Sequence, residues 1–406
     1  MKTVYGYWVW FIATLFVIYA FCLNTAAAVF SSSIKTALHS SDVQFSYAAG
    51  AFICGFALMQ IPAGYLLDRY NTRIVVSAGV LLLGLGNLLI SFAPNIVLFS
   101  IANFIQGIGG SFAFIAAAVL ISNWFDQKLF PILFGLTQTL SCVLSGIIHY
   151  LFMVALQTHP WNELYHYLFG FGLILFVLTL IFVYSPKKER EAPSLSLGTA
   201  LKLVSGNKQV WFCSIAAATT FGVLLAYGGF WYLNVQNFYS VSSEQSLIIS
   251  GIIFVGVGIG TPLFGYLSNR FRSRIMVTHL TIVLGNMFLI LGLYLPHYSF
   301  DSLIIIKVVS FFIGFFLSGS MLFYTIVSEI STDQIRGVAL SVVNTLVFLF
   351  NTFLLFIPYL FITSISKTFF TYLWILPFSV MISMLLIYFI KETYPSSPTE
   401  PTEMEQ

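Results

Sequence analysis

Two short stretches of the chain repeat the same charged residues at the same spacing. The stretch from Gly64 to Ile74 returns 201 positions later as the stretch from Gly265 to Ile275. Each copy places a glycine, an acidic or amide residue and two arginines in a short loop between long apolar stretches. A carboxylate and guanidinium groups at this spacing can form charge-assisted hydrogen bonds with each other or with a helix end. The residues concerned are Gly64, Asp68, Arg69 and Arg73 in the first copy, and Gly265, Asn269, Arg270 and Arg274 in the second.

Polar side chains also occur inside the apolar stretches, where they are costly in lipid and tend to face a cavity or a partner helix. Amides, phenols and an indole supply hydrogen bonds and aromatic faces, so they can bind a small polar ligand. Hydrogen bonding between neighbouring helices is the alternative role, and the sequence leaves both roles open for each residue. The candidates for ligand contact are Tyr19, Asn24, Asn103, Gln106, Gln138, Tyr227, Trp231, Asn234, Tyr324 and Asn344.

Titratable groups are scarce inside the same stretches. His149 can change its charge near neutral pH, although a lone histidine in an apolar helix more often has a structural role. Lys307 lies about 9 Å into its stretch, so its stem can snorkel to the surface or its ammonium can bind an anion. We therefore take His149 and Lys307 as candidates for ion coupling. The acidic residues lie at the ends of the stretches, so no carboxylate proton relay is expected in their middle.

Composition places the chain in a membrane. Hydrophobic residues make up 59% of the 406 residues and charged residues only 8%, whereas a soluble domain carries about a quarter charged residues. The net charge of +3 is too small for a nucleic-acid footprint. The four cysteines are far apart and lie in apolar stretches, which indicates buried thiols. Nucleotide-binding, zinc-protease and serine-hydrolase motifs are missing from the sequence, so we expect neither an enzyme nor a cofactor.

The elements that must position these residues are twelve membrane-spanning helices, which we call spans 1 to 12. A helix needs about 20 mostly apolar residues to cross a bilayer. The sequence predicts spans at 8–30, 43–66, 74–93, 97–122, 129–156 and 163–184 in the first half. In the second half it predicts 209–236, 244–267, 274–295, 301–326, 336–363 and 368–390. Residues 1–184 and 209–390 thus form two six-helix halves, joined by a linker at 185–208 and followed by a disordered tail at 391–406.

The distribution of basic residues predicts the orientation. Of the 17 Lys and Arg residues, only Lys35 and Lys367 fall on one side and Lys307 lies within a span. The other fourteen lie on the side that carries both repeated loops and both termini. By the positive-inside rule this side is cytoplasmic, in an inner or single plasma membrane.

The pattern G-x-x-x-[DN]-R-x-x-x-R of both loops resembles the signature loop between the second and third helices of each half in the major facilitator superfamily. The resemblance covers nearly the whole chain and implies two halves related by an axis along the membrane normal, with a substrate site between them. It also implies that spans 1, 4, 7 and 10 line the cavity, while spans 2, 5, 8 and 11 join the halves. On two points the chain departs from the family: Asn103 replaces an arginine common in span 4, and span 5 lacks the G-x-x-x-G-P pattern of drug:proton antiporters.

The same resemblance implies roles for the loop residues. Asp68 is expected to meet the start of span 11, near Arg336, when the cytoplasmic gate is closed. Arg69 and Arg73 would brace that gate, and the second copy, with Asn269, would form a gate of a different kind.

Two further hypotheses concern the spans. Gln138, Ser141, Ser145 and His149 share one face of span 5, which should point to the translocation path or to the boundary between the halves. Tyr227, Trp231 and Asn234 share one face of span 7, opposite Tyr19 and Asn24 of span 1, and Trp231 would form an aromatic wall of the site. A place in the lipid-facing aromatic belt is the alternative for Trp231.

These observations and the resemblance predict a secondary transporter of a small polar metabolite such as an amino acid, peptide, nucleoside or organic acid. The run Q-I-P-A-G-x-x-x-D-R and the aromatic span 7 resemble bacterial nutrient importers of the superfamily, which implies import. The alternatives are an exporter, a siderophore transporter, and a membrane receptor or scaffold that does not transport. The expected partners are the substrate and the lipid bilayer, with a co-transported proton left open, and the protein is expected to be a monomer.

Overall fold

The computed structural model describes residues 2–184, 195–231, 235, 241–294, 302–361 and 373–394. Within these ranges the chain is helical with short connections and has no strand. Among the described residues, eleven helices are long and apolar enough to cross a membrane, and a shorter apolar helix, Ile375–Phe389, stands at the twelfth position. This is the all-α, twelve-helix architecture that the sequence predicts.

The spans begin and end close to the predicted positions, except that span 1 starts six residues earlier. Spans 1 to 6 cover Lys2–Val29, Asp42–Arg69, Thr72–Ser91, Ile96–Trp124, Phe130–Ala155 and Trp161–Phe182. Span 7 begins as Lys208–Ala217 and is described to Trp231; spans 8 and 9 cover Ser243–Arg270 and Arg274–Tyr294. Span 10 joins Leu303–Leu317 to Leu322–Ile330, span 11 is Arg336–Phe361, and span 12 includes Ile375–Leu386. Short helices Ser31–Ala37 and Leu197–Gly206 lie outside the spans.

Short polar side chains cap several helix starts, where the first N–H groups have no partner within the helix. Ser41 and Gln44 form a reciprocal capping box at span 2. Asn71, Asn95 and Ser242 accept a backbone hydrogen bond at the starts of spans 3, 4 and 8. The Asn71 cap therefore fixes where the first repeated loop ends.

Small residues allow close approach between helices, which is how helices associate in lipid without a hydrophobic driving force. A Cβ on Gly107 would overlap the backbone of Phe52, and one on Gly314 would overlap the backbone of Ile253. These contacts join span 4 to span 2 and span 10 to span 8. The same arrangement thus recurs in both halves.

Spans 7 and 10 are not regular α-helices. Span 7 contains π-helical segments at Ala218–Gly222 and Tyr227–Trp231, and span 10 contains a 3₁₀ segment at Ser318–Met321. The π segment Ala218–Gly222 contacts the 3₁₀ segment. Such interruptions are frequent at functional sites because they redirect side chains and backbone groups.

Candidate functional site

We call the end of the bundle that carries both repeated loops the repeat face. Among the described residues, two helix pairs make the most extensive contacts between the halves. Seam A is the contact between spans 2 and 11, and seam B is the contact between spans 5 and 8.

Seam A begins with a carboxylate at a helix N-terminus. Asp68 Oδ1 accepts a hydrogen bond of 2.7 Å from the N–H of Gly337, and Oδ2 accepts one of 2.9 Å from Val338. These N–H groups have no partner within span 11, and the positive end of its dipole favours an anion. Asp68 thus meets the start of span 11, where the resemblance places it. Arg336 binds the preceding turn instead, through Asp333 and the carbonyls of neighbouring residues.

Further contacts follow Asp68 at four-residue intervals along span 2. A Cβ on Gly64 would overlap the carbonyl oxygen of Gly337, so the two backbones touch. Gln60 Oε1 accepts a hydrogen bond of 3.0 Å from Asn344 Nδ2. Phe56 and Phe348 then pair at a ring-centroid distance of 4.9 Å. Because residues four apart share one helix face, this face of span 2 forms seam A.

Seam B is built from small residues and prolines. A Cβ on Gly265 would lie 2.7 Å from the carbonyl oxygen of Pro131, and one on Gly135 would lie 2.8 Å from the nitrogen of Pro262. One turn further along, the Thr139 hydroxyl donates a hydrogen bond to the carbonyl of Gly258. Seam B therefore depends mainly on close backbone packing, whereas seam A combines a close backbone contact with a charge and with amides.

Pro131 gives a physical reason for the difference between Asp68 and Asn269. Proline has no N–H, so the start of span 5 offers a carboxylate fewer donors than the start of span 11. Asn269 Nδ2 instead donates a hydrogen bond of 2.6 Å to the carbonyl oxygen of Lys128, just before span 5. An amide can donate to a carbonyl, and an ionised carboxylate cannot.

The arginines of the two loops have different partners. Arg73 Nε donates to the carbonyl of Val183 at 2.8 Å, and Arg69 donates to the Tyr65 hydroxyl. Arg274 is fully buried and forms a 2.9 Å salt bridge with Glu329 at the end of span 10. Arg270 is exposed.

Near seam A, Tyr324 of span 10 contacts span 11 of its own half and spans 4 and 5 of the other half. Its hydroxyl donates a hydrogen bond of 2.9 Å to Asn344 Oδ1. Its ring lies 5.7 Å from Phe114 of span 4 and 5.6 Å from Phe134 of span 5. Tyr324, Asn344 and Gln60 thus form a buried hydrogen-bonded chain that crosses the boundary, and Gln60 Nε2 at its end is buried with no hydrogen-bond partner among the described residues.

Three other candidates for ligand contact lie inside the first half. Gln106 Nε2 donates to Asn87 Oδ1 at 2.9 Å, and Asn87 Nδ2 donates to the Tyr19 hydroxyl at 2.6 Å. The Tyr19 hydroxyl in turn donates to the carbonyl of Leu168 in span 6. Asn103 Nδ2 donates within its own helix to Phe99. The contacts of Tyr19, Gln106 and Asn103 are therefore contacts between or within spans of one half.

The polar face of span 5 makes its hydrogen bonds to its own helix and to span 1, not to the boundary with span 8, and a place beside the translocation path stays a prediction. Gln138 Nε2 lies 3.3 Å from Cys142 Sγ on its own helix. His149 Nε2 lies 3.1 Å from the carbonyl oxygen of Cys22 and 2.9 Å from the Thr25 hydroxyl. A polar helix face in lipid is satisfied by whichever helix is adjacent. The face that meets span 8 carries Gly135 and Thr139 instead.

The predicted site between spans 1 and 7 is also not assembled as expected. Trp231 is fully buried, and its Nε1 donates a hydrogen bond of 3.1 Å to the carbonyl of Leu354 in span 11. That contact argues against a place for Trp231 in the lipid-facing aromatic belt. It also directs the indole towards span 11, in the same half as Trp231. Tyr227 is buried with its hydroxyl near Gly292 of span 9. Asn234 lies outside the described residues, and Asn24 and Lys307 are half-buried.

Some residues of this region escaped the sequence analysis. Gln60 had a usable signal, since it lies four residues before Gly64 and eight before Asp68 on one helix face. Asn87 was likewise visible as a polar residue within a span. Glu329 and Glu392 lie at span ends, where sequence reasoning assigns acidic residues to solvent. Within the part of the chain that the structure describes, no cluster of His, Cys, Asp or Glu could hold a metal ion, and the four cysteines are free.

The helices, their two halves and the seams between them define a polytopic membrane carrier. The chain belongs to the Major Facilitator Superfamily, whose family model matches residues 12–350. It is therefore a transporter of that superfamily, as the repeated loops indicate.

Among curated relatives, the chain is 24% identical over 254 residues to "Multidrug resistance protein MdtL" of Shewanella oneidensis, covering 60% of this chain and 62% of that protein. It is 27% identical over 197 residues to the protein of the same name in Salmonella heidelberg, covering 47% and 48%. The matched part of the chain thus spans less than two thirds of either relative's length.

Among solved structures, the fold resembles the proton:xylose symporter XylE with a TM-score of 0.75, 16% identity and 97% of each chain covered. It resembles FucP in the outward conformation with a TM-score of 0.73 and 15% identity, covering 93% of this chain and 97% of that chain. At these identities the likeness establishes the fold alone.

Proposed function

We propose that this transporter moves a small polar metabolite into the cell by alternating access, with the repeat face on the cytoplasmic side of the inner membrane and both termini inside. The observation that carries the proposal is the Asp68 carboxylate of one half bound to the first N–H groups of span 11 in the other. A bond of this kind is made when the halves meet at the repeat face and is lost when they separate. It therefore favours one of two global states, as alternating access requires.

The contacts between halves described above support a closed repeat face. On span 2 they run from Asp68 to Phe56, within thirteen residues of the helix end at Arg69. This corresponds to about 20 Å, or two thirds of the hydrocarbon thickness. Those on span 8 run from Gly265 to Gly258 over a similar depth. The substrate would then enter from the opposite face.

The substrate site that the geometry favours is the group formed by Tyr324, Asn344 and Gln60. Its side chains are two amides and a phenol next to the rings of Phe114 and Phe134, so it recognises hydrogen-bonding groups and flat apolar surfaces. The unpaired Gln60 Nε2 supplies a donor for a substrate carbonyl or hydroxyl oxygen. A buried amide without a partner destabilises a protein by about 1–3 kcal/mol, which a bound substrate would relieve.

Export of the substrate is the second candidate. Its support is the relatives named multidrug resistance proteins, although span 5 lacks the G-x-x-x-G-P pattern of drug:proton antiporters. Proton coupling is compatible with both import and export, and His149 and Lys307 remain the candidate residues for it. The protein is expected to act as a monomer in both cases.

The test begins with a thermal-shift screen of the purified protein against neutral and charged metabolites, since a ligand that binds the folded state raises its stability. Hits are then followed as radiolabelled substrates in proteoliposomes and in right-side-out and inverted membrane vesicles. Import predicts accumulation in right-side-out vesicles under an inward proton gradient, and export predicts accumulation in inverted ones.

Asp68→Ala provides the matched variant. It should reach the membrane at normal levels, bind the hit, and fail to exchange it across the bilayer. Wild-type exchange by Asp68→Ala would overturn the gating role of Asp68. A protein that binds no metabolite and exchanges none would instead favour the receptor or scaffold alternative.

A further inference from the structure

Residues 391–394, which follow span 12, fold onto the repeat face of the second half, and we call them the C-terminal strap. The backbone N–H of Lys391 donates to Gln209 Oε1 at 2.8 Å, and Gln209 Nε2 donates back to the carbonyl of Phe389 at 2.9 Å. This reciprocal pair fixes the strap to the start of span 7. The disorder predicted for 391–406 therefore does not extend to these four residues, and 395–406 lie outside the described residues.

Glu392 of the strap caps the start of span 9. Its carboxylate accepts hydrogen bonds from the backbone N–H of Arg274 at 2.9 Å and of Ile275 at 3.1 Å, and from the Ser273 hydroxyl. Partial burial acts to raise the pKa of Glu392, but hydrogen bonds from Ser273, Arg274, Tyr394 and Ile275 outweigh it, and the pKa is lowered. The carboxylate is thus bound as an anion at the positive end of a helix.

Thr393 completes the surroundings of the buried salt bridge. Its hydroxyl donates to Glu329 Oε2, while the Arg274 guanidinium binds Glu329 Oε1. A buried ion pair stabilises a protein only when its remaining oxygens and protons are also satisfied. Thr393 and Glu392 therefore act as positioning residues for Arg274, one through its salt-bridge partner and the other through its backbone.

Tyr394 connects this group to the other half. Its ring lies 5.1 Å from the guanidinium carbon of Arg274 and 5.9 Å from the ammonium of Lys128, which are cation–π distances. Lys128 belongs to the loop between spans 4 and 5 of the first half, and its carbonyl accepts the hydrogen bond from Asn269. Arg274 also donates to Asn269 Oδ1 at 2.7 Å. One continuous set of contacts thus runs from the strap through Arg274 and Asn269 to Lys128.

The first half holds its corresponding arginine differently. Arg73 donates to the backbone carbonyl of Val183, directly after span 6, and this contact uses no side chain from the following segment. Residues 185–194, which follow this carbonyl and correspond in the repeat to the strap, lie outside the described residues.

We infer that the C-terminal strap holds the repeat face closed, by fixing Arg274 and by linking it through Tyr394 to Lys128 of the other half. This rests on the proposed alternating access. Only contacts that differ between the two states can shift their populations. The contacts to Lys128 are of that kind, because separation of the halves breaks them, whereas the contacts of Glu392 stay within one half.

Two truncations of the protein test the inference. A stop after Lys391 removes the functional part of the strap, and a stop after Tyr394 removes 395–406 and leaves the strap whole. The reporter is Ser341→Cys on seam A, which is fully buried beside Gly64, in a protein whose four native cysteines are replaced by serine. The rate of maleimide labelling is measured on purified protein in nanodiscs, without substrate.

The stop after Lys391 should raise the labelling rate several-fold, and the stop after Tyr394 should leave it unchanged. If the shorter protein does not fold, point variants serve in its place. Tyr394→Leu should raise the rate about two- to fivefold, as expected for the loss of cation–π contacts, while Tyr394→Phe retains the ring and the parental rate.

Equal labelling of the parent, the stop after Lys391 and Tyr394→Leu would overturn the inference, as would equal effects of Tyr394→Leu and Tyr394→Phe. Labelling reports on conformation alone, so a protein that transports nothing can still confirm the strap. If the labelling rate is the same in all variants while transport is normal, the proposed function holds and the strap has no part in it.

Discussion

Gln60 and Asn344 are 284 positions apart in the chain and share a buried hydrogen bond of 3.0 Å across seam A. One amide comes from each half, and the Asn344 amide also binds the Tyr324 hydroxyl. This bond is the point at which the boundary between the halves and the proposed substrate site coincide. The contribution of this bond to stability and its effect on transport can therefore be measured separately in the same variants.

Replacing both partners of this pair should destabilise the protein less than the two single replacements do in sum. Gln60→Leu leaves Asn344 Nδ2 buried without its acceptor, and Asn344→Leu leaves Gln60 Oε1 and the Tyr324 hydroxyl without their partners, at about 1–3 kcal/mol for each such group. The double variant should be more stable than the sum predicts, with a coupling energy of about 0.5–3 kcal/mol. Unfolding of the purified proteins in detergent measures this. Simple additivity would show that the two amides do not interact in solution.

Seam A should tolerate no side chain at Gly64. Gly64→Ala forces a methyl group against the carbonyl of Gly337, so the halves cannot close at the repeat face and transport should be lost. Gly50→Ala on the same helix is the matched control, because a Cβ there meets nothing within 4 Å. The control should be neutral or slightly stabilising, since alanine favours helix by about 1 kcal/mol over glycine. Proteoliposome exchange and labelling at Ser341→Cys distinguish the two variants. Normal exchange by Gly64→Ala would mean that the backbones do not need to touch.

Aspartate at position 269 should be unfavourable while Pro131 is present. In Asn269→Asp one carboxylate oxygen keeps the hydrogen bond from Arg274, but the other lies against the carbonyl oxygen of Lys128, and these two acceptors repel. The expected result is faster labelling on seam A and a lower melting temperature. Adding Pro131→Ala restores an N–H at the start of span 5 and should recover part of the loss. If Asn269→Asp alone behaves as the parent does, the proline does not explain the asparagine.

Trp231 should contribute to stability more than to affinity. Trp231→Phe keeps a buried ring but leaves the carbonyl of Leu354 without its donor, so the melting temperature should fall. The apparent uptake constant should change little, because the indole faces its own half. A large rise in the apparent uptake constant with an unchanged melting temperature would indicate that Trp231 belongs to the substrate site.

The strap should weaken in acid. The lowered pKa of Glu392 means that its contribution to stability is complete above the ordinary glutamate value of about 4.3 and is lost as pH falls through the lower folded-state value. Glu392→Gln should therefore melt below the parent at pH 7, and the difference should shrink below about pH 4. The charged and titratable groups around it, Arg274, Glu329, Tyr394 and Lys128, are the same in both proteins. A difference that stays constant with pH would show that the Glu392 charge has no such role.

The sequence by itself determined the membrane location, the twelve spans and the repeat. Span length and hydropathy are local properties, and the bilayer imposes them on any chain that crosses it. The two copies of the loop identified the superfamily, because their spacing of half the chain can be read without any knowledge of contacts. The resemblance to the superfamily also predicted the contact between Asp68 and the start of span 11.

Tertiary structure decided which neighbour each polar face meets. Helical periodicity groups Gln138 with His149 and Tyr227 with Trp231, but it does not say whether the adjacent surface is lipid, a cavity or another span. In a membrane nearly every surface is apolar, so hydrophobicity does not orient a helix as it does in water. Tyr19, Gln106 and His149 therefore turned towards helices of their own half, whereas Gln60, Asn344 and Tyr324 met across the boundary. The strap could not be predicted from the sequence for a related reason. Glu392 binds partners that lie 117 and 118 positions earlier in the chain, and no periodicity of the tail predicts them.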